Sequence, residues 1–420
     1  MTTTEWKESD MSLPVLMIRR VRPATSASCA LSASATIDVR IEDGRIAAIG
    51  PDLLVPFGAV VEDGAGALLL PGLVESHTHL DKTMWGLDWY CNEVGTRLVD
   101  RIDNERAFRA ATGHDAAAQS LALARAFLAL GTTRIRTHVD VDTQAGLRHL
   151  EGTLRTRDAM RPVQQIQIVA FPQSGLLGRP GTAELLDAAL VAGADVLGGL
   201  DPCAIDGDPM RSLDLLFGMA ERRGKPLDIH LHEPGAMGAF SLGLILDRTE
   251  ALGLQGRVAV SHGFCLGDVA PPERDALLAR MARLGVVLVT SAPASRSVPP
   301  LAACLAAGVT VAGGNDGIRD TSTPYGTPDM LERAMLIGLR HNLRRDDELA
   351  LAFDCVTTAG ARGCGFAEHG FAPGDRADLV LVDAPNVAHA VVARPVRRLV
   401  VAGGQIVARD GMLVGAHRAR

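Results

Sequence analysis

The sequence predicts an α/β fold, a (β/α)8 TIM barrel carrying a small β-sandwich built from both chain termini. Three observations predict it. The middle of the chain, residues 71–372, alternates short strand-like runs with longer helical patterns eight times. Both chain ends have another style, short alternating strands split by tight turns. Six of the twelve histidines fall where the middle strands end.

Near the N-terminus, Thr36-Ile-Asp-Val-Arg-Ile41 runs through Glu42-Asp-Gly44 into Arg45-Ile-Ala-Ala-Ile49, the pattern of a hairpin. The C-terminal segment repeats the style in Ala377–Val382, Arg398–Ala402 and Gln405–Ala408, the last two flanking Gly403-Gly404. The expected organisation is therefore a composite β-sandwich from residues 1–70 and 373–420, and a barrel from 71–372. Candidate barrel strands end near His79, His138, Gln173, Pro202, His232, His262, Ser291 and Asp316. Helical patterns occupy Ala116–Leu130, Ala183–Ala192, Ser212–Arg223 and Glu273–Arg283. The rival, an open doubly wound sheet, lacks its Gly-rich fingerprint after the first strand.

A chain of 420 residues is long enough for one barrel and a satellite domain. Its net charge of −7 and the absence of any Lys/Arg-rich run argue against nucleic acid or an anionic membrane as partner. No stretch reaches the roughly 18 apolar residues a membrane span needs. Met1–Ser12 is polar and lacks a signal-peptide core. The seven cysteines are scattered without a Cys-x-x-Cys pair. They read as reduced, buried, apolar-like residues of a cytoplasmic protein.

In such a barrel, functional groups gather at the C-terminal ends of the strands. His77 and His79 stand two apart on a strand, so both rings point to one face, toward the barrel axis. Converging neutral imidazoles suit a divalent transition metal. His138, His230, His232 and His262 end other strands, and spacing alone does not choose between His230 and His232. The remaining six, His114, His149, His341, His369, His389 and His417, read as surface residues.

The run Pro71-Gly-Leu-Val-Glu-Ser-His-Thr-His-Leu-Asp81 follows the N-terminal β unit directly. With it come Arg136-Thr-His-Val-Asp140, Ile168-Val-Ala-Phe-Pro-Gln173, Val196-Leu-Gly-Gly-Leu-Asp-Pro202, His230-Leu-His-Glu233, Ser261-His262 and Asn315-Asp316-Gly-Ile-Arg-Asp320. This set resembles the amidohydrolase superfamily, and within it the cytosine deaminase-like and N-isopropylammelide amidohydrolase-like branch. The resemblance implies one divalent metal ion, Zn2+ with Fe2+ as the alternative, held by His77, His79, His230 and Asp316. It implies that His262 orients the attacking water, that Glu233 shuttles the proton, and that Gln173 grips a heterocycle edge. On position alone, His138 reads as a residue behind the ligands or lining the substrate pocket, or as a core histidine, and Arg319 as a candidate substrate-pocket residue. Such a metal ionises water near neutral pH, and a carboxylic acid within reach can carry a proton to the leaving nitrogen. On that reading Glu233→Gln keeps metal and lowers turnover about 10²–10⁴-fold.

Dinuclear members of the superfamily bridge two metals with a carboxylated lysine at the end of strand four. Here that strand ends at Leu200-Asp201-Pro202, and the chain's three lysines are Lys7, Lys82 and Lys225. Lys82 reads equally as a solvated loop residue or a substrate contact. Gly317 and Ser322 stand where cytosine-reading members carry an acid and a tryptophan, so that edge is missing. Arg319 and Asp320 read as pocket residues or as a buried ion pair. Trp85, Trp89 and Tyr90 read as a lid over a flat ring or as packed loop core. The resulting expectation is a metal-dependent aminohydrolase (deaminase) of a small N-heterocycle, aminopyrimidine- or triazine-like, commonly a homo-oligomer. The alternatives are a cyclic or acyclic amide hydrolase on the same scaffold and a non-catalytic binding protein.

Overall fold

The structure, a computed structural model, describes residues 13–24 and 36–417. The N-terminal segment forms β1 (Leu16–Pro23), β2 (Ile37–Glu42), β3 (Arg45–Gly50), β4 (Val60–Asp63) and β5 (Leu68–Pro71). The barrel strands follow: β6 (Leu73–Thr78), β7 (Thr132–Asp140), β8 (Gln165–Phe171), β9 (Val196–Leu200), β10 (Leu227–Leu231), β11 (Val258–His262), β12 (Val287–Thr290) and β13 (Val311–Gly313). The chain ends in β14 (Leu379–Val382), β15 (Arg397–Ala402), β16 (Gln405–Arg409) and β17 (Met412–Leu413).

β6 to β13 lie side by side in chain order, each parallel to its neighbour. A parallel bridge from Thr78 to Asp316 brings the first strand beside the segment after the last, closing the cylinder. Every residue of β7 and β10 is buried, as expected of strands covered by helices outside and side chains within. The strand ends fall close to the positions read from sequence. The helices at Pro209–Arg223 and Pro271–Leu284 begin ahead of their apolar periodicity. Each has proline in its first turn, and the Asp208 carboxylate accepts the Arg211 N–H at the start of the former. A 15-residue helix, α1 (Leu98–Thr112), was not expected and lies over the mouth of the barrel.

The small domain joins the two chain ends. β1 pairs with β2 and β4 along its first half and with β5 at its end, so it passes from one layer to the other. β14 pairs antiparallel with β5, and β15 to β17 extend that layer. Leu16, Ile18 and Val39 from one end pack with Leu379, Leu381 and Val401 from the other. Arg134, at the N-terminal end of β7 and fully buried, donates to Asp378 at 2.7 Å and ties the barrel to this domain.

Cys265, Cys304, Cys355 and Cys364 are buried as expected, but Cys91 is exposed and Cys203 half-buried. Cys29 and Lys7 lie outside the described residues. Among the described residues no helix is long and apolar enough to cross a membrane.

Candidate metal centre and substrate cleft

The ends of β6, β10, β11 and β13 bring His77, His79, His230, His262 and Asp316 together. The His77 ring lies 4.6 Å from that of His230 and 5.0 Å from that of His262, centroid to centroid. Asp316 Oδ1 stands 3.3 Å from His79 Nε2 and 3.8 Å from His77 Nε2. Two overlapping triads, His77/His230/His262 and His77/His79/Asp316, each present ligand atoms within 4.8 Å of one another. Phe171, stacked on His230 at 4.1 Å, fixes that ring from the side.

The backbone is bent to make this convergence. His262 and Asp316 both hold positive φ, 73° and 66°, as does Asp201 at 31°. Such conformations cost about 1–3 kcal/mol each and cluster at functional sites. Asp316 is held there by its own N–H, which donates to His77 O at 2.8 Å. Gly314 allows the approach, because a Cβ there would come within 2.6 Å of the His77 Cβ.

The residues fit a metal on an observation independent of motif. His77 Nε2 and both ring nitrogens of His138, His230 and His262 are buried without a hydrogen-bond partner. Buried polar atoms are ordinarily paired, and the unpaired nitrogens of His77, His230 and His262, grouped with ligand atoms within 4.8 Å of one another, fit a cation-binding site. Burial first, then the neighbouring rings, push His77, His230 and His262 below the ordinary histidine range, His262 to about 3. They are therefore neutral and able to ligate at neutral pH.

His230 and His232 are separated by the structure. The His232 ring is partly exposed and paired on one side: its Nδ1 meets Asp201 Oδ2 at 2.8 Å, and it stacks on His262 at 4.3 Å. Its side chain is 21 % exposed, whereas His230 is buried. Burial opposes the imidazolium, but the Asp201 carboxylate overrides it and holds His232 above the ordinary value.

Both Glu233 oxygens are engaged by groups outside the triads. Oε1 accepts from the Cys203 and Ala204 N–H groups at 2.7 and 2.8 Å, and Oε2 accepts from the Ser241 hydroxyl. A carboxylate with both oxygens engaged this way braces the loop after β9 against the next helix. The placement of His138 also differs from expectation. It is completely enclosed, its ring 4.0 Å from that of His77, so it packs beneath the ligand rings and offers no surface to a substrate.

The opposite wall, from the β6 loop, α1, β7 and β8, is a charge network. Lys82 is buried, not solvated: its Nζ donates to Gln173 Oε1 at 2.7 Å and meets Glu105 at 3.2 Å and Asp140 at 3.3 Å. Arg109 reaches Asp140 at 2.7 Å and Asp142 at 2.9 Å. Burial and then Asp140 push the Glu105 carboxyl well above its usual range. Asp140, despite its burial, is held low chiefly by Lys82. His149, expected at the surface, is buried on Asp81 at 2.7 Å, and His114 and His369 are half-buried with ring-to-carbonyl contacts of 2.8 and 2.7 Å.

Arg319 and Asp320 form no ion pair. The Arg319 guanidinium carbon lies 5.6 Å from the Trp85 ring and 5.8 Å from the Trp89 ring, a cation–π arrangement. Asp320 is buried and accepts the Ser322 and Thr323 N–H groups at 2.7 and 2.8 Å. A Cβ on Gly317 would lie 2.2 Å from Asp320 Oδ2, so the Asp320 carboxylate fills the space a side chain at 317 would take. Sequence reasoning missed Glu105, Arg109 and Asp201 as site residues. Of these, Asp201 alone carried a signal, as an acid at a strand end.

The profile of the amidohydrolase family matches residues 60–408 of the chain. A crystal structure of N-isopropylammelide isopropylaminohydrolase from Burkholderia multivorans is 64% identical, covers 96% of this chain and 100% of its own, and superposes with a TM-score of 0.92. N-isopropylammelide isopropyl amidohydrolase from Pseudomonas sp. strain ADP is 30% identical over 84% of this chain and 89% of its own. A 5-methylcytosine deaminase from Klebsiella pneumoniae, bound to 5-fluorocytosine, is 25% identical, with a TM-score of 0.82 over 96% of this chain and 99% of its own.

Proposed function

The chain belongs to the amidohydrolase family, and from that premise we propose that it is a metal-dependent aminohydrolase removing an amine from a small, flat N-heterocycle of triazine or aminopyrimidine type. The observation that carries the reading is the set of unpaired, neutral ring nitrogens converging with Asp316 at the barrel mouth. His77, His79, His230 and Asp316 would hold the ion, and their N/O donor set suits Zn2+ first and Fe2+ second. When bound, the metal lowers the pKa of a coordinated water and so supplies a nucleophile near neutral pH.

The chain's own residues do the rest. His262, stacked on His232, orients the attacking water. The resemblance favoured Glu233 as proton shuttle, but its oxygens are engaged elsewhere. We assign the shuttle to His232. Its Nδ1–H is given to Asp201, which leaves Nε2 free to take a proton from water and return it to the departing amine, as in other carboxylate–imidazole pairs. Gln173 offers its amide NH2 to an acceptor on the ring, because Lys82 occupies its oxygen. Arg319, with Trp85 and Trp89, covers the ring from the solvent side. Identity to the Burkholderia enzyme favours an N-alkylated oxo-triazine as the substrate to test first.

The test is amine release by metal-loaded protein from a panel of aminotriazines, aminopyrimidines and pterins. Opening of cyclic amides with no amine released from any of them would sink the reading. Within the working panel, His232→Gln should retain metal and lose about 10²–10⁴-fold in turnover. Glu233→Gln should lose far less, since the amide keeps an acceptor for Cys203 and Ala204. The reverse ranking would return the shuttle to Glu233.

A further inference from the structure

Beneath the candidate metal ligands, a polar column runs down the barrel axis. His77 Nδ1 lies 2.8 Å from Ser261 Oγ. The Ser261 hydroxyl donates to Asp228 Oδ1 at 2.7 Å. The other Asp228 oxygen accepts from Arg136 Nη1 at 2.9 Å. Arg136 in turn donates through Nε to Gln167 Oε1 at 2.7 Å and through Nη2 to Cys364 O at 3.1 Å. Ser261 and Asp228 are fully buried and Arg136 nearly so, each from a different strand.

The proton inventory gives this column a direction. A guanidinium only donates, and a carboxylate paired with it only accepts. Ser261 has a single hydroxyl proton, and Asp228 takes it. Toward His77, the serine oxygen can therefore only accept, so the proton of the imidazole must sit on Nδ1. The lone pair is then on Nε2, the atom that faces Asp316 and is buried without a partner.

We propose that Arg136, Asp228 and Ser261 are positioning residues that fix the Nδ1–H tautomer of His77 from the barrel floor and so present Nε2 to the metal. The proposal rests on His77 being a metal ligand. The column also bears on a second cluster of ligand type, His77/His138/Asp228, where His138 Nε2 is 3.6 Å from Asp228 Oδ2. The Arg136 charge on that same oxygen opposes a second cation there, so the column both orients the metal site and keeps it mononuclear.

The experiment compares the unaltered chain, Ser261→Ala and Ser261→Thr by chelator competition for Zn2+, with thermal unfolding of the metal-free forms as the folding control. Loss of a hydrogen bond that orients a ligating histidine costs about 10–100-fold in metal affinity. The expected result is that loss in Ser261→Ala, recovery toward the unaltered value in Ser261→Thr, and one zinc per chain throughout. Equal affinity in Ser261→Ala would overturn the proposal while leaving the metal reading intact. Failure of the unaltered chain to bind zinc would overturn both. Nitrogen-15 NMR of histidine-labelled, zinc-loaded unaltered protein decides even if Ser261→Ala does not fold. It should show His77 protonated at Nδ1 and ligating through Nε2, and ligation through Nδ1 would refute the column's role.

Discussion

The two walls of the barrel mouth are both built from buried polar side chains and behave oppositely. On the wall of β6, β10, β11 and β13, ring nitrogens are buried without partners. On the wall of β7, β8 and α1, buried charges face opposite charges: Lys82 against Glu105 and Asp140, Arg109 against Asp140 and Asp142. The first wall is incomplete without a cation. The second already contains its own cations and holds its shape alone. Removing a group should therefore abolish binding on one wall and destabilise the fold on the other.

The largest expected effect is on the first wall. Asp316→Ala should remove most bound metal and lower turnover by about 10⁴-fold, with only a small fall in the unfolding midpoint of the metal-free protein, since alanine tolerates the φ of 66° less well than aspartate. Metal analysis beside thermal unfolding checks both halves. If that variant kept its metal, the contrast between the walls would collapse. The pH dependence follows with the same logic. Protons compete with metal for the imidazoles, and a depressed pKa weakens that competition. Metal should stay bound at pH 6 and be released only well below it, because burial holds the ligands His77 and His230 far below the ordinary histidine range. Release already at pH 6 would contradict the burial of these rings.

On the second wall, Lys82→Met leaves Glu105 and Asp140 with less compensation. It should cost about 3–5 kcal/mol of stability while zinc affinity in the folded protein stays near normal. A denaturant titration and a chelator titration on one sample separate these. Gly317→Ala, between the walls, forces a Cβ against Asp320 and should cost about 1–3 kcal/mol. The smallest effect concerns thiols that neither wall uses. Burial pushes Cys265, Cys304 and Cys355 up to about 12, so they should resist alkylation at pH 8 while exposed Cys91 reacts. Peptide mapping after brief labelling would detect any exception.

The first wall was legible in the sequence and most of the second was not. His77, His79, His230, His262 and Asp316 end barrel strands, where period and topology aim side chains at one point. α1 escaped because hydrophobic periodicity finds helices that bury an apolar stripe, and this one buries Ile102 and a carboxylate, Glu105. Lys82 and His149 look like surface residues until their partners, 58 and 68 positions away, are brought beside them. At Glu233 spacing and contacts point to different roles. Three residues after His230 is the right place for a shuttle, yet Ser241 and two backbone N–H groups take up its oxygens.

The antiparallel pairing of β5 with β14, Pro71 against Leu379 and Leu68 against Val382, bears on the order in which the molecule is made. β5 ends one residue before β6, the strand that delivers His77 and His79. On the ribosome, these histidines emerge early, but the strand that clamps their approach exists only once residue 382 has been synthesised. A nascent chain halted before that point would already have β7 beside its barrel histidines, but β5 would be held by β1 alone. The strand leading into the metal centre is thus secured on its far side late in synthesis, although the first ligands are among the earliest residues translated.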